Sequence, residues 1–231
     1  MLTPARRRGV EILDDPSVDP AVRTRSIDDV TRSNRLLGGA RAAAEAFRSI
    51  MPLLDAKASL LDVGTGLADI PARVARLARG ENRSLTVLGI DEAYSLLVAA
   101  RSRLDAPVCA GALALPFRDQ AIDVVMCSQL LHHFEEPDAV RLLAELNRVA
   151  RRAVIVSDLR RSWIAAAGFW LISFPLRFHP VTRHDGVVSV LRGFTPADLE
   201  RLVARATGVT PVVRRHLGWR LTAQWSPQGS S

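Results

Sequence analysis

The chain has 231 residues, 48% of them apolar and 24% charged, with a formal net charge of +7. That size suits one α/β domain with extensions, and the apolar share is enough for a substantial core. The positive charge is almost all arginine (Lys57 is the only lysine), scattered along the chain without interleaved aromatics, which speaks against a nucleic-acid surface. A basic surface does suit contact with an acidic membrane. Arg6-Arg7-Arg8 is not followed by an apolar run, so no secretory leader is expected. Cys109 and Cys127 sit in apolar, strand-like runs and read as buried free thiols, not as a disulfide or metal site, which fits a cytoplasmic setting.

In chain order, residues 1–27 are polar and rich in Pro and Asp, and Glu11 to Pro16 reads as a short ordered stretch ending in a turn. Ser26 is expected to cap a first helix whose first turn carries Asp28 and Asp29. Gly38-Gly39 turns the chain into a second helix over about 40–54. Residues 1–54 therefore form a helical extension, and 55–231 the main domain. Asn34 and Arg35 either face a site or end a helix in solvent.

From residue 58 the pattern alternates. Strands are expected near 59–63, 84–90, 107–110, 121–127 and 152–157, and helices near 70–79, 93–104 and 137–149. Such alternation implies a parallel sheet with right-handed crossovers, and ligands then bind beyond the carboxyl ends of the strands. Asp62, Asp91, Gly111 and Ser128 all fall at such ends. After the fifth strand, Trp163 to Leu176 carries no charge and is rich in aromatics, but is too short for a transmembrane helix. It reads as a core helix, a lid over a greasy ligand, or an interfacial segment. His179 to Gly186 reads as a loop crowded with polar groups, though His-x4-His there is not a metal pattern. Thr195-Pro196 opens a further helix. Val209 to His216 and Gly218 to Trp225 read as final strands before a frayed tail from Ser226.

The stretch Leu60-Leu61-Asp62-Val63-Gly64-Thr65-Gly66-Leu67-Ala68-Asp69 reads as strand, glycine turn and helix start, a place where backbone approaches a ligand closely. Asp69 stands where a dinucleotide fingerprint wants a small residue, and no P-loop lysine follows. The acidic-x-Gly-x-Gly pattern resembles motif I of the class I S-adenosylmethionine (SAM) methyltransferases. Asp91, 25 residues past Gly66, Ala112-Leu113-Ala114-Leu115-Pro116-Phe117, Ile122-Asp123-Val124-Val125 and Leu131-His132-His133 resemble that family's later blocks, in order, over roughly 58–157. The resemblance implies a Rossmann-like seven-stranded, mostly parallel sheet with helices on both faces, completed by an antiparallel hairpin. It also implies an N-terminal helical cap on the substrate side and an apolar lid inserted over 161–194. SAM is the implied cofactor, held by Asp62, Gly64, Thr65, Gly66, Asp91, Ala112, Leu113 and Ser128. One departure stands out: the family carries Asp before Ala112, facing the adenine amino group, and this chain has Gly111.

A hydroxyl acceptor needs its proton removed, and histidine suits that role near neutral pH. His184, with Asp185 as its orienting partner, and His133 are the candidate catalytic residues. His133 reads alternatively as packing near the methionine end of the cofactor, and His132 as a buried or capping residue; His179 and His216 read as incidental. The segments Leu13 to Pro16, Asn34 to Gly39 and Arg183 to Gly186 resemble bacterial methyltransferases linked to phenolic lipids and type III polyketides. The expected reaction is thus O-methylation of a small phenolic or quinol-like, lipid-like acceptor. Carbon methylation of a quinone-type ring and a non-catalytic SAM-fold protein are the alternatives. A nicotinamide dehydrogenase is disfavoured by Asp69 and the lack of a Tyr-x-x-x-Lys pair. A nucleic-acid methyltransferase is disfavoured by Ser128-Gln129-Leu130-Leu131 where an Asn/Asp-Pro-Pro block belongs.

Overall fold

The computed structural model describes residues 3–7, 9–15 and 17–227. Arg8 and Pro16, read above as part of a basic run and of a turn, and the tail beyond Pro227 lie outside the described residues.

Helix α1 (Pro20–Leu36) starts six residues before the expected cap. Asp19 is the N-cap, its carboxylate accepting from the amides of Ala21 at 2.8 Å and Val22 at 3.3 Å, and Pro20 loses no hydrogen bond at the first position. Ser26 is instead buried within that helix. Helix α2 (Gly39–Ile50) follows. Its Phe47 and Ile50 pack with Leu60, Val124 and Ile155 of the sheet, so α2 is a full member of one layer.

The sheet contains β1 (Lys57–Val63), β2 (Ser84–Asp91), β3 (Ala106–Cys109), β4 (Ile122–Ser128), β5 (Ala150–Leu159), β6 (Val212–His216) and β7 (Arg220–Trp225). Their spatial order is β3-β2-β1-β4-β5-β7-β6. Strands β1 to β5 pair in parallel, and β7 runs antiparallel to both β5 and β6. The expected strands are all present, each within two residues of its expected bounds except β6, which starts three residues later. The strand order reverses between β1 and β4, which is where doubly wound sheets open a crevice for ligands.

Helices α3 (Asp69–Gly80), α4 (Tyr94–Ala100), α5 (Glu136–Val149) and α8 (Pro196–Thr207) complete the layers. On one face Leu142, Leu143 and Leu146 of α5 join Leu199 and Val203 of α8 over β4 and β5. On the other, Ile70, Val74 and Ala78 of α3 join α2. Each fully buried Leu of this kind contributes roughly 1.5–3 kcal/mol. Helix α8 has the expected Thr195 cap, made reciprocal by Asp198, and ends on Gly208.

Two expectations are corrected. Residues 179–186 are not a loop: His179 caps α7 (Pro180–Arg192), its Nδ1 accepting from the Val181 amide at 3.3 Å. Cys109 is exposed, because β3 is an edge strand with alternating burial, while Cys127 is buried as expected. The apolar segment forms α6 (Trp163–Ser173), packed side by side with α7. No helix among the described residues is long and apolar enough to cross a membrane.

Candidate active site

The parallel register sets the strand ends level. Asp62 lies beside Gly89 and Met126, Val63 beside Ile90 and Cys127, and Ser128 beside Ser157. Past β1 the chain turns through Gly64 (φ 73°) and Gly66 (φ 51°), left-handed conformations that a side chain resists. The loop is pinned from below: the Gly64 and Thr65 amides both donate to the Ile90 carbonyl at 2.9 Å. The Gly66 amide donates to Asp91 Oδ2, and the Ala93 amide to Asp91 Oδ1, each at 2.9 Å. Open space surrounds the place where a Cβ on Gly66 would be.

Three buried polar atoms at this edge, Asp62 Oδ1, Thr65 Oγ1 and Ser128 Oγ, meet no partner at full hydrogen-bonding geometry, though Thr65 lies close enough to favour the charged form of Asp62. Buried polar groups are rarely left unsatisfied without a ligand or solvent to meet them. Burial, with the nearby charges of Asp69 and Asp91, pushes the Asp62 carboxyl up to about 8. A cationic ligand group is what such a carboxyl lacks. Ala112 is buried against Ile90 and Leu131, and Leu113 is half-buried beside them. At Gly111 a Cβ would come within 3.0 Å of Glu92 Oε1, so a carboxylate stands beside the position that lacks one. These groups fit a ligand with an ammonium, a ribose and an adenine ring.

Next to this edge lies a second, largely apolar cavity of about 310 Å³. Leu13, Phe169, Ile172, Val190 and Trp219 form apolar walls; Asn34, Gln129, His132, His133 and Arg220 supply polar groups. Gln129, just past β4, has a left-handed φ of 55°. Its amide donates to Asn34 Oδ1 and accepts from the Arg220 guanidinium at 2.9 Å. Asn34 in turn bonds the Asp69 side chain. This chain of contacts runs from the cavity wall to the start of α3, just past the glycine loop. Asn34 therefore faces the site, whereas Arg35 is exposed outside the cavity. Burial lowers the Arg220 guanidinium to about 10, against the pull of Asp158.

His132 is the best-positioned titratable group. Its Nδ1 lies 2.7 Å from Asp158 Oδ1, its own backbone amide donates to Asp158 Oδ2 at 3.1 Å, and both side chains are buried. Burial alone would raise Asp158, but the facing His132 and the Leu159 amide hold it below the usual carboxylate range. The other ring nitrogen, Nε2, points to the cavity side, 4.0 Å from Glu11 Oε1. The His133 ring lies against that of His132, centroids 4.3 Å apart and planes tilted by 35°. Burial works against a charge on His133, yet Asp14, Glu11 and Asp158 outweigh it and raise its pKa. Glu11, His132 and His133 bring possible ligand atoms within 4.8 Å of one another. The Arg192 guanidinium, 3.1 Å from Glu11 Oε1, already supplies the positive charge there, so the cluster reads as a proton network.

The other expected catalytic pair is split: Asp185 lines the cavity and His184 does not. His184 is half-exposed and outside the cavity lining, its Nδ1 2.8 Å from Asp185 Oδ1. Asp185 is buried and accepts from the amides of Ile12 at 2.8 Å and Leu13 at 3.0 Å, so it ties the N-terminal segment across α7. The reason is the helix: once 180–192 is helical, residues 184 and 185 face different ways, and only 185 turns inward. His216 bridges Glu45 and Thr222 away from the cavity, as an incidental residue would. Asp158, Glu11 and Arg220 escaped the sequence reading. For Asp158 and Arg220 the available signal was a charge ending or opening an otherwise apolar strand; Glu11 carried none.

Residues 61–156 match the family model described as a methyltransferase domain. No curated protein matches the sequence significantly. Among solved structures the chain is similar to the plantazolicin methyltransferase BpumL in complex with SAH, at TM-score 0.66 and 11% identity, covering 94% of this chain and 93% of that one. A SAM-dependent methyltransferase from Aquifex aeolicus is similar at TM-score 0.59 and 17% identity, covering 91% and 99%. The magnesium protoporphyrin IX methyltransferase of Synechocystis PCC 6803 with bound SAM matches at TM-score 0.55 and 12% identity, covering 94% and 88%. At such identities these structures speak for the fold. The family match gives residues 61–156 as a methyltransferase domain, and the solved structures share the Rossmann-like methyltransferase fold. The chain's reaction is methyl transfer, and its cofactor is SAM.

Proposed function

We propose that the protein methylates a hydroxyl on a small, apolar, ring-bearing acceptor of phenolic or quinol-like type. The observation that carries this reading is the buried His132–Asp158 pair beside a largely apolar cavity. SAM supplies a methyl on a positive sulfonium, which leaves as a neutral thioether. In this reading Asp62, Thr65 and Ser128 would hold its methionine portion, and Asp91 would take the ribose hydroxyls on the acceptor capacity its two amide contacts leave. Ala112 and Leu113 flank the adenine, and Glu92 stands in for the carboxylate missing at Gly111.

The chain's own task is alignment and proton removal. With Asp158 holding the His132 Nδ1–H, Nε2 would take the acceptor's hydroxyl proton, and bound SAM would supply the methyl. A phenol, with a pKa near 10, needs only such a modest base. The apolar walls favour the ring and any alkyl tail.

The test uses labelled SAM with alkylresorcinol and quinol acceptors, and reads the methyl's attachment by carbon NMR. An O-methyl product, lost by about 10²–10⁴-fold in turnover in His132→Ala and Asp158→Asn with cofactor affinity unchanged, is expected. A ring C-methyl product, or full turnover in both variants, contradicts the proposal.

A further inference from the structure

Six of the fifteen exposed large apolar side chains among the described residues fall within 163–174. Trp163, Ile164, Trp170, Leu171, Ile172 and Phe174 are each 40–61% exposed. Single exposed hydrophobes are ordinary, but a contiguous set on one element marks an interaction surface. The buried side of α6 is small and used: Ala165 and Ala166 pack on Leu159 and Val190. Phe169 and Ile172 line the acceptor cavity, so Ile172 stands at once on the exposed face and at the cavity wall.

Arginines predominate around this face. No acidic residue occurs between Asp158 and Asp185. Arg7 lies 4.7 Å over the Trp163 ring, and Arg183 3.7 Å over Phe174. At the far end of the helix Arg25 donates to the Arg177 carbonyl at 3.2 Å, and Arg32 to the Leu176 carbonyl at 3.1 Å. Asp29, itself buried, is the acid that offsets Arg25 and Arg32. An apolar, tryptophan-bearing helix rimmed by arginines matches a bilayer interface: apolar side chains enter the acyl boundary and guanidinium groups stay at lipid phosphates. At 11 residues, or about 16 Å, α6 is too short to span and long enough to lie flat.

We infer that α6 is a docking surface for an anionic phospholipid membrane, set so that a lipophilic acceptor passes from the bilayer past Ile172 into the cavity. The docking claim stands on α6 and its arginines alone; the delivery route also rests on the proposed apolar acceptor.

The experiment is vesicle co-sedimentation of the full chain without SAM or acceptor, so that its result is independent of the reaction. Phosphatidylcholine vesicles with and without phosphatidylglycerol are compared at low and high salt. The proposal predicts binding to the anionic vesicles that weakens with salt. It further predicts that partitioning falls about tenfold or more in Leu171→Glu and Trp170→Glu, and is unchanged in Val212→Glu, an exposed position away from α6. These side chains are exposed, so the variants should fold; circular dichroism checks that. Absence of binding to anionic vesicles overturns the proposal, as does binding that ignores the α6 variants. It is equally overturned by a concentration-dependent dimer that dissociates in Leu171→Glu, since a second copy would then cover the face.

Discussion

Asp62 carries a carboxyl that burial raises to about 8, against a weaker opposing contact from Thr65, at the sheet edge beside the glycine loop. Because its folded pKa lies above the unfolded value near 3.9, its contribution to stability is present at low pH and is lost as pH rises toward 8. The ligand-free protein should therefore gain stability from this group between pH 8 and pH 6. Binding a cationic ligand reverses the preference, so S-adenosylhomocysteine should bind with proton release below pH 8. Calorimetry at pH 7 in buffers of different ionisation enthalpy checks this; no proton exchange on binding would contradict it. At Glu92 the expectation concerns recognition. Glu92→Gln should weaken S-adenosylhomocysteine roughly threefold to tenfold with the melting temperature unchanged, since the side chain is exposed. Unchanged affinity would leave the gap at Gly111 without a substitute.

At the scale of elements, α6 and α7 meet more closely than any side chain at Gly186 would allow. A Cβ there would lie 2.0 Å from the Phe169 ring, which walls the acceptor cavity. Gly186→Ala should cost about 1–3 kcal/mol by overpacking and raise the acceptor KM, while S-adenosylhomocysteine binds as before. Thermal melts and steady-state kinetics read the two effects; an unaltered KM would mean that Phe169 does not shape the cavity. This pair of helices is also where the sequence was least legible. Pro180, Asp185 and Gly186 are turn residues by local chemistry, yet Pro180 begins a helix and Gly186 serves a close contact. Likewise Ser26 looked like a cap because acids follow it, but Asp19-Pro20 upstream caps the helix. Local signals were sound where local forces decide, as at Thr195-Pro196 with Asp198.

At the scale of the whole molecule, the parallel sheet was readable because buried strands are short apolar runs whose spacing does not depend on distant partners. Asp62, Asp91 and Ser128 were readable for the same reason, as residues ending those runs. The pairing of His132 with Asp158 was not, because it joins the ends of β4 and β5, 26 residues apart, and only adjacency in the sheet reveals it. The sheet thus serves two neighbouring sites: a glycine-loop edge at β1 and β2, and an apolar cavity past β4 and β5. The most direct test of that division is calorimetric titration of S-adenosylhomocysteine into wild type, Asp62→Asn and His132→Ala. We expect Asp62→Asn to bind at least about tenfold more weakly, for loss of the charged partner, while His132→Ala binds like wild type. Equal losses in both variants, or none in Asp62→Asn, would contradict the division of the site into a cofactor half and an acceptor half.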